Sequence, residues 1–301
     1  MDISYFEKIL AFVTIPIYTI FIALEMMIGN FQGKKWYSWQ DIFNNLLMGS
    51  FNVVIDIAVR VIFGLALLSI FEKYSFVHWE HTNWLYWISL FVLQDFFYYL
   101  IHFLEHRCRF FWAVHNIHHS SEFFNFTTGL RSSIFQPIYK FPFYIPLILM
   151  GFKGIDIMLV YALGQTYGFF VHSSWFKRWK WVEWIMVTPS HHRVHHAKEP
   201  EYIDKNMSMV FIIWDKFFGT FIPENTQKPI SFGITKPIEQ NNPFKVVFHE
   251  WFNIWKDVRH ASTWKERWMY IFGPPEWQPT HELETTEEQT ASIILYKNDS
   301  R

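Results

Sequence analysis

At 301 residues the chain is long enough for one large domain or two ordinary ones, and its net charge of −1 gives no long-range attraction to nucleic acid or to an acidic surface. Hydrophobic residues make up 51%, charged residues 18% and aromatics 21%, which excludes a disordered or collagen-like chain and favours a membrane-embedded protein over an ordinary soluble one. The single cysteine, Cys108, excludes an intrachain disulfide and a Cys-ligated cluster, while nine of the 15 histidines fall in two short windows.

A bilayer span needs about 20 mostly apolar residues. The first candidate covers residues 9–28, with Pro16 inside it and Glu25 near its end, and is too long and too weakly basic at its start to be a secretory signal. The second, 51–71, carries Asp56 and Arg60, which share a helical face and can pair. The third, 84–104, is rich in aromatics and contains Asp95. The fourth and fifth, 134–150 and 155–171, read as a helical hairpin that crosses or only dips into the bilayer, kinked at Pro142 and Pro146. Lys34, Lys35, Arg107, Arg109 and Arg131 then fall in loops on one side, which places that side and everything beyond His172 in the cytoplasm.

Further on, residues 176–184 mix Trp with Lys and Arg, as a helix at the headgroup level does. A short apolar stretch over 210–221 carries Asp215 and Lys216, and 243–270 reads as an amphipathic surface helix region. From Pro274 the chain turns polar and acidic. The expected fold is therefore all-α: an integral membrane helical bundle of four to five spans or hairpins with a cytoplasmic helical cap. A single membrane-embedded domain is expected over 1–273, with its motif core at 95–221 and a loose tail over 274–301. The alternative, a soluble bundle with apolar core helices, is disfavoured because four or five runs of this length rarely share one soluble chain.

Three groups of histidines carry the functional reading: His102 and His106 at the end of the third span, His115, His118 and His119, and His192, His195 and His196 preceded by His191. On a helix, positions i, i+3 and i+4 share a face, so each group can aim two or three imidazoles at one point. Neutral imidazole suits iron, zinc, copper and nickel, and eight such ligands fit two metal ions with about four nitrogens each. His78, His81, His249, His260 and His281 are isolated and read as ordinary surface or core residues. Neither the zinc-protease pattern nor the repeated Glu-x-x-His of carboxylate di-iron bundles is present. Two cations held by neutral rings call for nearby carboxylates, and Asp95, Glu105 and Asp204 are the acids placed to help. Asp95, Tyr99, His102 and His106 form one helical stripe; Asp95 reads equally well as a polar group satisfied by a neighbouring helix. Tyr161, Gln165 and His172 form another stripe, which makes His172 a candidate ninth ligand.

In these residues the sequence resembles the fatty acid hydroxylase/sterol desaturase superfamily of membrane di-iron oxygenases, most of all its alkylglycerol monooxygenase branch. The resemblance lies in HNIHHSSEFFNFTTGLRSS at 115–133, TPSHHRVHHAKEPEYIDKN at 188–206 and IWDKFFGTF at 213–221. It implies O2-dependent hydroxylation of an alkyl chain of a membrane lipid by two iron ions held by the eight histidines, with His172 matching an additional family histidine. Asn206, and with it Asp204 and Glu105, would act at the centre, Asn206 at a position that reaches the metal directly or through water. An external reductant is implied, tetrahydropterin in that branch, or an electron-donor protein. The sequence departs at Arg107, where the branch has an acidic residue, while Glu105 stands just before His106; if that carboxylate helps to hold the reductant, the pterin is not assured here. Phe110, Phe111, Trp112, Phe123 and Phe124 are candidates to wall an apolar chain pocket, with interfacial anchoring the competing role for Trp112. A desaturase using the same centre is the main alternative. A metal transporter would place its ligands deep within the spans, and a zinc hydrolase would work without oxygen. The expected location is a multi-pass protein of the endoplasmic reticulum or a bacterial inner membrane.

Overall fold

The computed structural model describes residues 3–80, 83–240 and 242–279, and among these the chain is helical, with only two isolated bridges, Met186–Phe211 and Ala197–Phe232, in extended pairing. Four helices are long and apolar enough to cross a bilayer: α1 (Ile3–Phe31), α2 (Trp39–Phe71), α3 (Trp84–Arg107) and α7 (Gly154–Val171). The outward side chains of α1 suit lipid, as Phe12 and Ile15 stand fully in the open. The chain is thus a multi-pass membrane protein by length and composition of its helices.

Lipid tails are as apolar as Leu, so packing and interhelical hydrogen bonds hold such helices together, the bonds contributing roughly 0.6 kcal/mol each. Tyr18 of α1 stacks on Phe169 of α7 with ring centroids 3.8 Å apart. Tyr86 of α3 donates to Asp156 of α7 at 2.6 Å. Arg60 and Asp56 pair within α2, as their spacing foretold. Glu25, fully buried near the end of α1, accepts from Phe126 N at 3.0 Å, Ser173 Oγ at 2.5 Å and Ser174 N at 3.0 Å, which ties α1 to the two loops that flank the histidines.

Two expectations need correction. The fourth apolar segment forms no spanning helix. Pro137, Pro142 and Pro146 each remove a backbone donor, and the segment breaks into α5 (Gln136–Lys140), a 3-10 turn (Phe141–Tyr144) and α6 (Ile145–Leu149). It folds back on α3 and α7, burying Phe141, Leu147 and Phe152 against Leu90 and Ile157. Gly151 makes the turn at φ +90°, where an added Cβ would lie 2.0 Å from the Val77 carbonyl. Likewise, residues 176–184 form no interfacial helix but a loop closed by one 3-10 turn (Val182–Trp184) that leaves Trp181 and Trp184 exposed.

Beyond α3 come α4 (Arg109–His119), α8 (Pro189–His195), α9 (Ile213–Phe218), α10 (Pro243–His260) and α11 (Trp264–Phe272). The last two are the amphipathic surface helices expected from the sequence, joined by a Thr263–Glu266 capping box. Residues 280–301 of the expected tail lie outside the described residues; ahead of them Trp277 packs edge-on against Tyr270 at 5.1 Å.

Candidate metal centre

All nine predicted histidines converge where α3, α4, α7 and α8 meet, in two adjoining groups. His102, His106, His115, His119 and His195 form one; His118, His172, His192 and His196 form the other, with candidate ligand atoms of each group within 4.8 Å of one another. The helical spacing produces the split. In α4 the i and i+4 pair, His115 and His119, faces the first group while His118 turns to the second, and in α8 His195 faces the first while His192 and His196 face the second. The groups abut at His119 and His196, whose rings stack with centroids 4.3 Å apart. His172 caps α7, held close by Gly129, where a Cβ would lie 3.0 Å from its Nδ1.

Hydrogen bonds fix the tautomers. Nδ1 of His102, His118, His172 and His195 lies 2.6, 2.9, 2.6 and 2.9 Å from the carbonyl oxygens of Met207, Arg131, Gly168 and Lys205. A carbonyl only accepts, so each Nδ1 carries the proton and each Nε2 presents a bare lone pair. Yet Nε2 of His172 sits 3.1 Å from Nε2 of His118. Two lone pairs facing across such a gap repel. Two nitrogens each roughly 2.1 Å from a shared ion and about 90° apart are separated by this same distance, about 3 Å. Nε2 of His106 and His195 are buried without a partner, as a site built for cations requires.

Burial, reinforced by the surrounding imidazoles, holds His115, His119, His192 and His196 well below the usual value of about 6.5, and burial pushes His172 down to about 4 against the pull of the Gly168 carbonyl. The rings are therefore neutral at physiological pH, the form that ligates metal.

Carboxylates stand behind two rings. Glu105, fully buried, lies 3.3 Å from Nδ1 of His115; Tyr139 donates to it, and the buried Lys140 ammonium is 3.8 Å away. Asp204 lies 3.3 Å from Nδ1 of His106 and 3.4 Å from Arg107. Burial alone would raise Asp204, but the His106 bond and Arg107 bring it below the usual carboxylate value. Both carboxylate-backed rings belong to the five-histidine group.

Other predicted residues land elsewhere. The Asn206 amide is committed to backbone, donating to His191 O at 3.1 Å and Ile222 O at 2.8 Å and accepting from Ile222 N at 3.0 Å. Asp95 accepts from Val210 N, Phe211 N and Trp214 Nε1 at 2.9–3.0 Å, so it clamps the 207–211 loop. His191 closes the capping box of α8 with Thr188. Phe124 stacks on His172, and Trp112 lies 5.3 Å from the His106 ring, so these two wall the centre; Phe110 and Phe111 pack away from it on Trp251 and Tyr139.

Sequence reasoning missed two supports. Asp215 accepts from Met207 N at 2.7 Å, Ser208 N at 2.9 Å and Thr220 Oγ1 at 2.6 Å, which fixes the carbonyl that orients His102. Arg131, counted above as a loop charge, is fully buried; it donates to Ile117 O, Ser120 Oγ, Asn45 Oδ1 and Gln240 Oε1 while its own carbonyl orients His118. Arg109 is buried too, paired with Glu250 and Asp257, so neither charge is free to bias orientation.

Beside the five-histidine group opens a cavity of about 820 Å³, lined by His106, His119, His195 and Trp112 on one side and by Glu250, Asn253 and Lys256 of α10 on the other. Pro274 and Gln278 contribute to its rim.

Residues 87–220, which span this centre, match the fatty acid hydroxylase family model. The chain is similar to the alkylglycerol monooxygenase of Homo sapiens, 34% identical over 268 residues that cover 88% of this chain and 59% of that protein. It is similar to the Xenopus tropicalis alkylglycerol monooxygenase, 32% identical over 86% of this chain and 58% of the relative, and to an ornithine lipid hydroxylase of Rhizobium tropici, 30% identical over 48% of this chain and 44% of the relative. The chain thus spans a little under three fifths of the vertebrate proteins it matches. No solved structure matches it. The matched segment begins within α3 and ends just after α9, so it holds all nine clustered histidines, while α1, α2, α10 and α11 lie outside it.

Proposed function

We propose that this protein is an O2-dependent di-iron lipid monooxygenase that hydroxylates an alkyl chain of a membrane lipid, as the names of its alkylglycerol monooxygenase relatives suggest. The observation that carries this reading is the pairing of proton-locked Nδ1 atoms with converging Nε2 lone pairs in two adjacent groups. His102, His106, His115, His119 and His195 would hold one iron, and His118, His172, His192 and His196 the other. Bound there, the two irons supply O2 activation for attack on a C–H bond. Asp204 orients His106, Glu105 and Asp204 would offset the positive charge from behind, and Asn206 keeps the 206 turn in place.

The remaining chemistry belongs to the surroundings. Phe124 and Trp112 keep bulk water off the rings. The cavity beside His106 and His119 is large enough for a small reductant such as a tetrahydropterin to approach the five-histidine group, and an electron-donor protein would address the same mouth. Exposed Lys34 and Lys35 in the α1–α2 loop support a cytoplasmic orientation of that loop, in the endoplasmic reticulum or a bacterial inner membrane. Residues 1–273 would act as one membrane-embedded unit.

The test is turnover of candidate lipids by the purified protein under labelled O2 with a chemical or pterin reductant. One labelled oxygen atom per product is expected. Loss of two hydrogens without added oxygen would make the protein a desaturase, and activity in the absence of O2 would make it a hydrolase.

A further inference from the structure

The α10–α11 hairpin lies outside the matched segment and presents two exposed aromatic stripes. On α10, Phe244, Phe252 and Trp255 are 60%, 56% and 58% exposed; on α11, Trp264 and Trp268 are 83% and 64% exposed. Contiguous exposed aromatic surface of this kind marks a site of contact with another phase or partner.

Half-buried rings beneath the stripes link Phe244 of α10 to Trp268 of α11 and run on to the broken apolar segment. Phe244 meets Phe248 at 4.5 Å, Phe248 meets Phe135 at 5.9 Å, and Phe135 meets Trp251 at 5.9 Å. Phe110 then bridges Trp251 at 5.3 Å to Phe272 at 5.9 Å, and Phe272 meets Trp268 at 4.4 Å. Phe110 also touches Phe111, which packs on Phe143 of the broken apolar segment at 6.1 Å. The hairpin is therefore packed through these rings onto the part of the chain that folds against α3 and α7.

Its charge is one-sided. Arg259 covers the Trp255 ring at 4.7 Å and Arg267 covers Trp264 at 4.8 Å, with Lys265 between. The acids of the hairpin are turned elsewhere: Glu250 and Asp257 pair with the buried Arg109, and Glu266 closes the capping box. Aromatic rings flanked by unneutralised cations match the boundary layer of a bilayer that carries anionic headgroups.

We propose that the α10–α11 hairpin is a membrane-surface anchor that sinks Phe252, Trp255, Trp264 and Trp268 into the headgroup layer and binds anionic lipid through Arg259, Lys265 and Arg267. The opposite face of α10 supplies Glu250, Asn253 and Lys256 to the cavity beside the five-histidine group, so the anchor fixes one wall of that cavity against the bilayer.

Cys108 is the sole cysteine, so a Cys108→Ser background accepts single spin labels on the full chain. Labels at Trp268→Cys and Phe252→Cys are placed in nanodiscs of phosphatidylcholine with or without phosphatidylglycerol, and a label at the exposed Lys228→Cys serves as the aqueous reference. At 252 and 268, collisions with lipid-soluble O2 are expected to exceed those with a water-soluble nickel chelate, the reverse of 228, and the ratio is expected to rise several-fold with phosphatidylglycerol. The combined Arg259→Gln, Lys265→Gln and Arg267→Gln variant is expected to lose that rise. Nickel access at both sites equal to that at 228 would overturn the anchor and leave the surface to a protein partner; immersion indifferent to phosphatidylglycerol would overturn the anionic preference.

Discussion

Glu105 shows how much a single residue adds to a histidine motif. Its carboxylate stands behind His115, 3.3 Å from Nδ1, where it offsets positive charge and, with a metal bound, is placed to take the Nδ1 proton in a hydrogen bond. Loss of such a partner typically costs 10–100-fold in metal affinity. Glu105→Gln is therefore expected to weaken one of two iron equivalents by about that factor while the four-histidine equivalent binds as before, read by metal titration of the metal-free protein; equal weakening of both would remove the asymmetry argued for the pair. The histidines themselves were legible because spacing of three and four residues on a helix has only one geometric reading. Their supports were less so. Four of the nine Nδ1 atoms donate to backbone carbonyls, and a carbonyl leaves no mark in sequence. Asn206 illustrates the converse: the left-handed backbone at φ 53° and a side chain spent on backbone partners give it a structural task that a motif match does not reveal.

Among the elements, the most consequential is the 207–211 loop, which is short, irregular and buried. Such a loop survives only if its backbone donors find acceptors, and two acids supply them. Asp95 holds its far end and Asp215 its near end, so that Met207 O meets His102. Asp215→Asn leaves one oxygen to do the work of two and is expected to destabilise the protein by about 1–3 kcal/mol, with a lowered melting midpoint in detergent and reduced iron content; an unchanged midpoint would show that the loop is held by other contacts. Apolar runs made the four spans readable, and prolines signalled trouble in the fourth segment. The sequence could not say that three prolines at 137, 142 and 146 would divide it into single turns, because the outcome depends on packing against Leu90 and Ile157. Arg131 misled for the same reason: a charge in a loop is normally solvated, and here five hydrogen bonds to Ile117, Ser120, Asn45 and Gln240 replace water.

On the scale of the whole molecule, the spans and the water-side helices have different tasks. α3 and α7 carry His102 and His172 at their ends, while α4, α8 and α10 border the centre and the cavity beside it. In the proposed reaction such a centre would take an apolar substrate from the bilayer and electrons from the cavity side. Everything rests on two ions filling the gaps between opposed lone pairs. The direct measurement is Mössbauer spectroscopy, with metal analysis, of the full chain purified after growth on isotopically enriched iron. Two iron atoms per chain in two distinguishable nitrogen-rich environments are the predicted result; protein that folds and inserts yet holds one iron or none would contradict it.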